Sequence, residues 1–332
     1  MCCSNCFKDD FLRDFIERNS ITRADCEHCG LVDAVILPAA HLAPYFEPVL
    51  EGYTFKASGY GLVELWSEDW DFLKPGVENR LLLIDILGDA AKATYVARDV
   101  TAALSDELWE RLRHELQYEN RFFPGNAPDR GFFASLISNL VTVAPTDGLF
   151  RARLMTGGKL FPPEEMGAPP PQFASDGRAN PIGIPYLYLA DDVNTAIAEV
   201  KPSKMARVAI VSFSAPEEQP LTIVDLRNPR STISPFKISS VAEVRASMSF
   251  LNALGRELSV PTQPHRATRD YLASQYLCEL IKVCGYAGVV YRSSLASGNN
   301  YAFFDASAYA ASGAVTSYQV SDVRVEAVLD AA

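Results

Sequence analysis

Residues 177–200 read GRANPIGIPYLYLADDVNTAIAEV, and the succession of signals in them points to one local fold. A turn over Gly177-Arg178-Ala179-Asn180-Pro181 leads into a strand over 184–190, IPYLYLA, rich in aromatic and branched residues. Asp191 or Asp192 then offers a helix N-cap. Val193, Ala196, Ile197 and Val200 recur at i, i+3, i+4 and i+7, so a short helix returns over the strand with one apolar face. Glu199 sits about 100° from the middle of that face, on its flank beside Ala196. From this pattern alone, a rim salt bridge to Lys201 is the simpler role for it.

Working outward, LFRARLM (149–155) is an upstream strand. Arg151 and Arg153 are two apart, so they share a face. With Arg178 they would make a clamp for a phosphate or pyrophosphate, because guanidinium holds such groups through paired hydrogen bonds. A solvent-facing strand surface is the alternative. Tyr186 and Tyr188 also share a face, suited to packing or to stacking on a planar ring. Downstream come two more strands, ARVAIVSFS and LTIVDL, then helices over 240–258 and 267–284. Gly285 stands at a natural C′ stop for the second. GVVYRSS, NNYAFFD and a last alternating run, YQVSDVRVEAV (318–328), complete the chain. Many strands with few helices between them indicate an α+β fold, not a doubly wound parallel sheet.

Before about residues 143–147 the character differs. Five of seven cysteines lie in the first thirty residues. Cys3/Cys6 and Cys26/Cys29 form two Cys-x-x-Cys knuckles, the spacing of a four-thiolate structural zinc site that would hold Zn2+ and activate no water, with redox or disulfide pairing as the alternative. His28 lies too close to both flanking cysteines for an easy fourth ligand. Between the knuckles, FKDDFLRDFIERN (7–19) is an amphipathic helix. HLAPYFEPVLEGY (41–53) suggests a helix interrupted by Pro44 and Pro48. GYGLVEL (59–65) lacks the third glycine of a dinucleotide fingerprint and reads as a loop. LSDELWERLRHEL (104–116) is helical with Ser105 as its N-cap. The expected organisation is therefore a zinc module over 1–30, a mainly helical linking region over 31–145 and an α+β domain over 146–330.

The 332 residues carry 30 basic and 41 acidic groups, a net charge of −11, with the basic residues scattered. That argues against nonspecific nucleic-acid binding. No apolar run is long enough for a membrane span. The N-terminus lacks the apolar core of a signal peptide, so a cytoplasmic protein is expected. Walker A, Gly-x-Ser-x-Gly and His-Glu-x-x-His patterns are absent. His265 is the one histidine of the C-terminal half, which gives a Ser-His hydrolase little support. Cys278 and Cys284, on a helix, read as core residues. A homo-oligomer is compatible with the sequence.

The order Arg151, Gly177-Arg178-x-Asn180, Tyr188-Leu, Thr195-Ala196-x-x-Glu199, Tyr291-x-Ser293-Ser294 resembles the RES domain family, over roughly residues 146–328. The N-terminal cysteine module is similar to one found ahead of some RES domains. The resemblance implies an ADP-ribosyltransferase-like mixed sheet and an NAD+-consuming activity, by phosphorolysis or hydrolysis. It also implies a toxin or defence effector held in check by an antitoxin. Arg151 and Arg178 would bind the NAD+ diphosphate, Tyr188 would pack at the nicotinamide end, and Glu199 and Ser293 would flank the reacting ribose, with Asn180 and Ser294 beside them. Compact members carry an aromatic after the first arginine. Here that residue is Ala152, so Phe150 or Tyr186 would have to supply the surface. Transfer of ADP-ribose to a specific protein, and a zinc-anchored adaptor that binds nucleotide without turnover, are the alternative readings.

Overall fold

A computed structural model describes residues 1–20, 22–101, 103–216, 218, 220–261 and 267–323. His265 and the end of the last alternating run lie outside them. The chain forms two compact units, each drawn from separate stretches of sequence. The first comprises Met1–Arg111, Pro128–Leu140 and Asn228–Ala253; the second comprises Leu112–Ala127, Val141–Arg227 and Leu254–Ala332.

In chain order, the elements through residue 140 are β1 (Cys2–Cys3), α1 (Asp10–Asn19), β2 (Thr22–Ala24), β3 (Ala34–Leu37), α2 (Ala43–Leu50), β4 (Tyr53–Tyr60), α3 (Leu62–Asp69), α4 (Asn79–Leu87), β5 (Tyr95–Ala97), α5 (Asp106–Tyr118) and α6 (Arg130–Ile137). Two small antiparallel sheets, β1-β3-β2 and β4-β5, belong to the first unit. Asp9 caps α1 by accepting from Leu12 N at 3.0 Å, and Leu12 and Ile16 are fully buried. An aromatic nest anchors this unit. Phe236, far along the chain, has its ring centroid 4.9 Å from Phe46 and 5.0 Å from Phe72, and Trp66 packs in tilted geometry against both Phe46 and Phe72.

Two expectations fail here for local reasons. GYGLVEL is not a loop. It ends β4 and begins α3, because Gly61 N donates to Glu64 Oε2 at 3.1 Å and Leu62, Leu65 and Trp66 are buried on one side. Pro44 and Pro48 do not interrupt α2: Pro44 falls in its first turn, where no intrahelical N–H is required, and Pro48 lies within the helix, which continues to Leu50. Ser105 does start α5, its Oγ accepting from Leu108 N at 3.2 Å.

The second unit is built on a sheet of eight strands. Continuing along the chain, the elements are β6 (Val141–Val143), β7 (Leu149–Leu154), β8 (Leu187–Ala190), α7 (Val193–Glu199), β9 (Arg207–Ser214), β10 (Thr222–Asp225), α8 (Pro229–Thr232), α9 (Val241–Ala246), α10 (Met248–Ser259), α11 (Ala267–Val283), β11 (Gly288–Arg292), β12 (Asn299–Phe303) and β13 (Ala310–Gln319). The sheet order is β13-β9-β7-β8-β12-β11-β10-β6, and only β10–β11 is parallel. This is the expected α+β class with a mixed sheet. The expected helix over 240–258 is two helices, α9 and α10, parted at Ser247. Buried Ser247 turns its hydroxyl to accept from Leu104 N at 3.0 Å. The final strand runs earlier than its alternation suggested and includes Gly313 at φ +80°, within an irregular stretch of its pairing with β9. Among the described residues, no helix is long and apolar enough to cross a membrane.

One side of the sheet packs Leu149, Leu187, Leu189, Val211, Phe213 and Phe303 into a continuous core. The burial of each large side chain contributes about 1.5–3 kcal/mol. On the other side α7 lies against β7 and β8. Asp192 is its N-cap, accepting from Thr195 N at 3.0 Å, while Asp191 turns to β12 and accepts from Asn299 N and Nδ2 at 2.8 and 2.6 Å. Gly298 makes this junction possible. A Cβ there would meet Asp192 Oδ2 at 2.2 Å, Thr195 Oγ1 at 2.4 Å and Asp191 Oδ1 at 2.6 Å. Gly298→Ala is therefore expected to destabilise the protein by about 1–3 kcal/mol through overpacking, read as a lower denaturant midpoint with an unchanged slope.

Candidate functional site

Register brings four side chains into one line. Phe150 pairs with Ala190, Ala190 with Asn300, and Asn300 with Tyr291. Directly paired residues share a face of a sheet, as do residues two apart on one strand, so Ala152 and Tyr188 join this row. The small side chains Ala152 and Ala190, with Ala196 from α7, form a shallow apolar floor. Above it lies a cavity of about 230 Å³ whose lining includes Phe150, Arg151, Tyr188, Glu199, Tyr291 and Asn300. A second cavity of about 320 Å³ is lined by Arg178, Lys201, Tyr271 and Ser294, and shares Tyr188, Glu199, Tyr291 and Asn300 with the first.

Glu199 ends α7 and, among the described residues, is the one acidic side chain lining either cavity. Its Oε1 accepts two hydrogen bonds, from Ser293 Oγ at 2.6 Å and from Asn300 Nδ2 at 2.7 Å. Ser293 is itself held in place, its Oγ accepting from Leu295 N and Ala296 N at 3.1 and 3.2 Å. Both donors converge on the same oxygen, and among the described residues no donor is found for Oε2. Glu199 forms no ion pair with Lys201. The rim salt bridge is replaced by a carboxylate that is oriented at one oxygen and free at the other.

Arg151 is among the residues that line the first cavity. β7 and β8 pair at a single position, and next to it the Arg151 guanidinium donates to the Tyr188 carbonyl at 3.3 Å. No carboxylate lies within ion-pair distance of it among the described residues. Burial, with a smaller contribution from Arg153, pushes its pKa down to about 10. The group still carries its charge at neutral pH, but at a cost that a bound anion would offset. Arg153 shares the strand but has a different use, donating to Gly167 O at 2.8 Å and lying 5.9 Å from the Phe161 ring centroid. Arg178 donates to Val260 O and lies over Tyr271, 5.7 Å from its ring centroid. It too has no acidic partner among the described residues.

Tyr188 acts through both ends. Its ring lines the two cavities, while its hydroxyl accepts from Ala179 N and Asn180 N at 3.0 and 3.2 Å and donates to Asn180 Oδ1 at 2.7 Å. Asn180 Nδ2 donates to Ser175 O, Pro181 O and Ile184 O, each at 3.0 Å. Its amide is thus used to shape the turn that carries Arg178, and it lines neither cavity. Gln275 Nε2 on α11 braces the same turn by donating to Gly177 O and Asn180 O at 2.9 and 3.1 Å. A Cβ at Gly177 would fall 2.4 Å from Asn180 Oδ1, so the turn closes tightly only with glycine there. Between the two aromatics weighed above, Phe150 lines the first cavity; Tyr186 is buried elsewhere, its hydroxyl donating to Glu279.

One cavity residue carried no local signal. Asn300 is buried and meets Glu199 across a hundred residues of sequence, and NNYAFFD announces only a strand. Tyr291 lines both cavities, and burial drives its phenol pKa well above the ordinary value. It is a neutral hydroxyl with no hydrogen-bonding partner found among the described residues.

In the first unit the four knuckle cysteines converge. Their sulfurs lie within 4.8 Å of one another, with Cys3–Cys29 and Cys6–Cys26 at 3.4 Å and Cys3–Cys6 at 4.0 Å. Tetrahedral zinc with ~2.3 Å bonds sets its sulfurs about 3.8 Å apart, so the cluster fits that ion. Its hydrogen bond with Cys6 draws the Cys3 pKa down to about 5, while the Cys6 thiol is pushed up. Thiolates this close repel one another, and a divalent cation allows all four to ionise. His28 faces Asp85, Nε2 to Oδ2 3.3 Å, and leaves the sulfurs as the donor set.

A family model described as the RES domain matches residues 149–325, slightly over half of the chain. Among solved structures, the chain is similar to one in the M. tuberculosis MbcT–MbcA toxin–antitoxin complex. Identity is 14%, covering 56% of this chain and 91% of that one, with a TM-score of 0.32. No curated protein matches.

The unpaired Arg151 carries its own test. Its folded pKa lies below its unfolded one, so the charged form opposes folding at every pH below about 10. Arg151→Met is expected to leave the ligand-free melting temperature unchanged or about 2–4 °C higher. Inorganic pyrophosphate is expected to raise the melting temperature of the wild type and to leave that of the variant unshifted.

Proposed function

Since this chain belongs to the RES domain family, we propose that it cleaves the nicotinamide N-glycosidic bond of NAD+. The observation that carries the reading is Glu199, held at Oε1 by Ser293 and Asn300 and open at Oε2, between cavities lined by Arg151 and Arg178. In the bond that breaks, the electron pair leaves with the pyridine nitrogen and neutralises its positive charge, so no strong general acid is required. Positive charge grows instead on the ribose, as in other glycoside cleavages. Glu199 Oε2 accepts from a ribose hydroxyl and places an anion beside that charge. Arg151 and Arg178 hold the diphosphate, and the rings of Tyr188 and Phe150 bound the space for nicotinamide.

Water attacking the ribose yields ADP-ribose and releases a proton; inorganic phosphate in its place yields the 1″-phosphate. Draining NAD+ would arrest growth, so the activity suits a toxin or defence effector, and an antitoxin that covers Arg151 and Glu199 would restrain it. The four-cysteine cluster holds structural Zn2+ in the other unit and takes no part in the chemistry.

Glu199→Gln is expected to lower nicotinamide release by at least 10²–10³-fold while the melting temperature stays near that of the wild type. Chromatography with and without phosphate identifies the nucleotide product. Label from NAD+ on a macromolecule would favour the transferase reading, and turnover at the wild-type rate in the variant would remove Glu199 from the mechanism. For the metal, elemental analysis is expected to find one zinc per chain, lost in Cys6→Ser together with a fall in melting temperature. Zinc retained in that variant would refute the four-cysteine site.

A further inference from the structure

Lys201 follows α7 with φ +47° and is followed by Pro202. Its N–H donates to Ala198 O at 2.9 Å, so it occupies the capping position at which helices commonly carry glycine or asparagine. A lysine is poorly suited to that backbone on two counts. Its Cβ crowds the carbonyl in the left-handed region, and the residue before proline is pushed toward extended conformations. Lys201 nevertheless lines the cavity that Arg178 and Ser294 also line, and it is exposed. Among the described residues it makes no ion pair, and Glu199, two positions away, is bonded through one oxygen to Ser293 and Asn300.

The charges along the two cavities can be matched to the dinucleotide of the proposed function, on which this inference rests. Arg151 and Arg178 answer the two negative charges of the diphosphate. Glu199 answers the cationic nicotinamide riboside. Lys201 has no counterpart. We propose that Lys201, with Arg178 beside it, forms a subsite for a third phosphate. That group is either a phosphomonoester on the ribose of the dinucleotide or free inorganic phosphate. In both cases an ammonium on an unbranched stem suits a compact dianion approached from solvent.

Binding by the full chain, carrying Glu199→Gln to prevent turnover, tests this with three probes: NAD+, its 2′-phosphorylated form and inorganic phosphate. Lys201→Met is expected to weaken at least one of the two phosphate-bearing probes on the order of tenfold relative to NAD+, and Lys201→Arg to retain most of the affinity. Loss of the preference for the phosphorylated dinucleotide assigns the subsite to the substrate; weaker inorganic phosphate alone assigns it to the attacking group. Lys201→Gly separates charge from capping. It suits the left-handed backbone and should raise the melting temperature, yet lose the same phosphate affinity as Lys201→Met. The proposal is overturned if both Lys201→Met and Lys201→Gly leave phosphate affinity and dinucleotide preference within twofold of the parent. Failure of either dinucleotide to bind would instead count against the proposed function, and the inorganic phosphate titration would still decide the role of Lys201.

Discussion

Three alanines set the space in which the rest of the site operates. Ala152, Ala190 and Ala196 meet where β7, β8 and α7 pack, and none carries more than a methyl group. Larger side chains at these positions would fill the volume now open beneath Arg151 and Glu199. The alanines also let α7 approach the sheet closely, which brings the end of a seven-residue helix within hydrogen-bonding reach of Asn300 on β12. A minimal packing surface thus fixes the position of the carboxylate.

Around this floor the protein keeps charges that it does not neutralise itself. Among the described residues, Arg151 is set deep without an acid beside it, Arg178 rests on a carbonyl and an aromatic face, and Glu199 leaves one oxygen open. For Arg151 burial makes the charge costly to folding, and all three are held by well-satisfied neighbours. The turn bearing Arg178 is clamped by Tyr188, Asn180 and Gln275, and the loop bearing Ser293 is tied by its own backbone amides. Rigid support surrounding unsatisfied groups is the physical signature of a site prepared for a ligand.

Much of this was legible in the sequence because it is local. The helix after IPYLYLA, its aspartate cap and the strands around Arg151 follow from periodicity and capping chemistry within a few residues. Asn300 was not legible, since its function depends on β12 lying between β8 and β11, a pairing that no short window contains. The same limit applies to Asn180, whose amide was expected beside a ligand and is used up by three carbonyls of its own loop. GYGLVEL misled in the opposite direction, because glycines that suggest a loop serve a close strand crossing and a helix start. A Cβ at Gly59 would lie 2.2 Å from Tyr95 O, so that glycine is required by a neighbouring strand.

Phe236 gives the interleaving of the two units a practical meaning. It completes the aromatic nest with Phe46, Trp66 and Phe72, yet in sequence it lies between β10 and β11, inside the stretch that builds the large sheet. Neither unit is therefore a cassette. A genetic exchange or proteolytic cut near residue 145 would carry Phe236 away from its partners and leave an apolar ring, with α9 beside it in sequence, lacking its native packing. Homologous chains that share this arrangement must inherit the cysteine-bearing and sheet-bearing parts together, and shortened forms would have to rebuild residues 228–253 rather than simply lose the first unit.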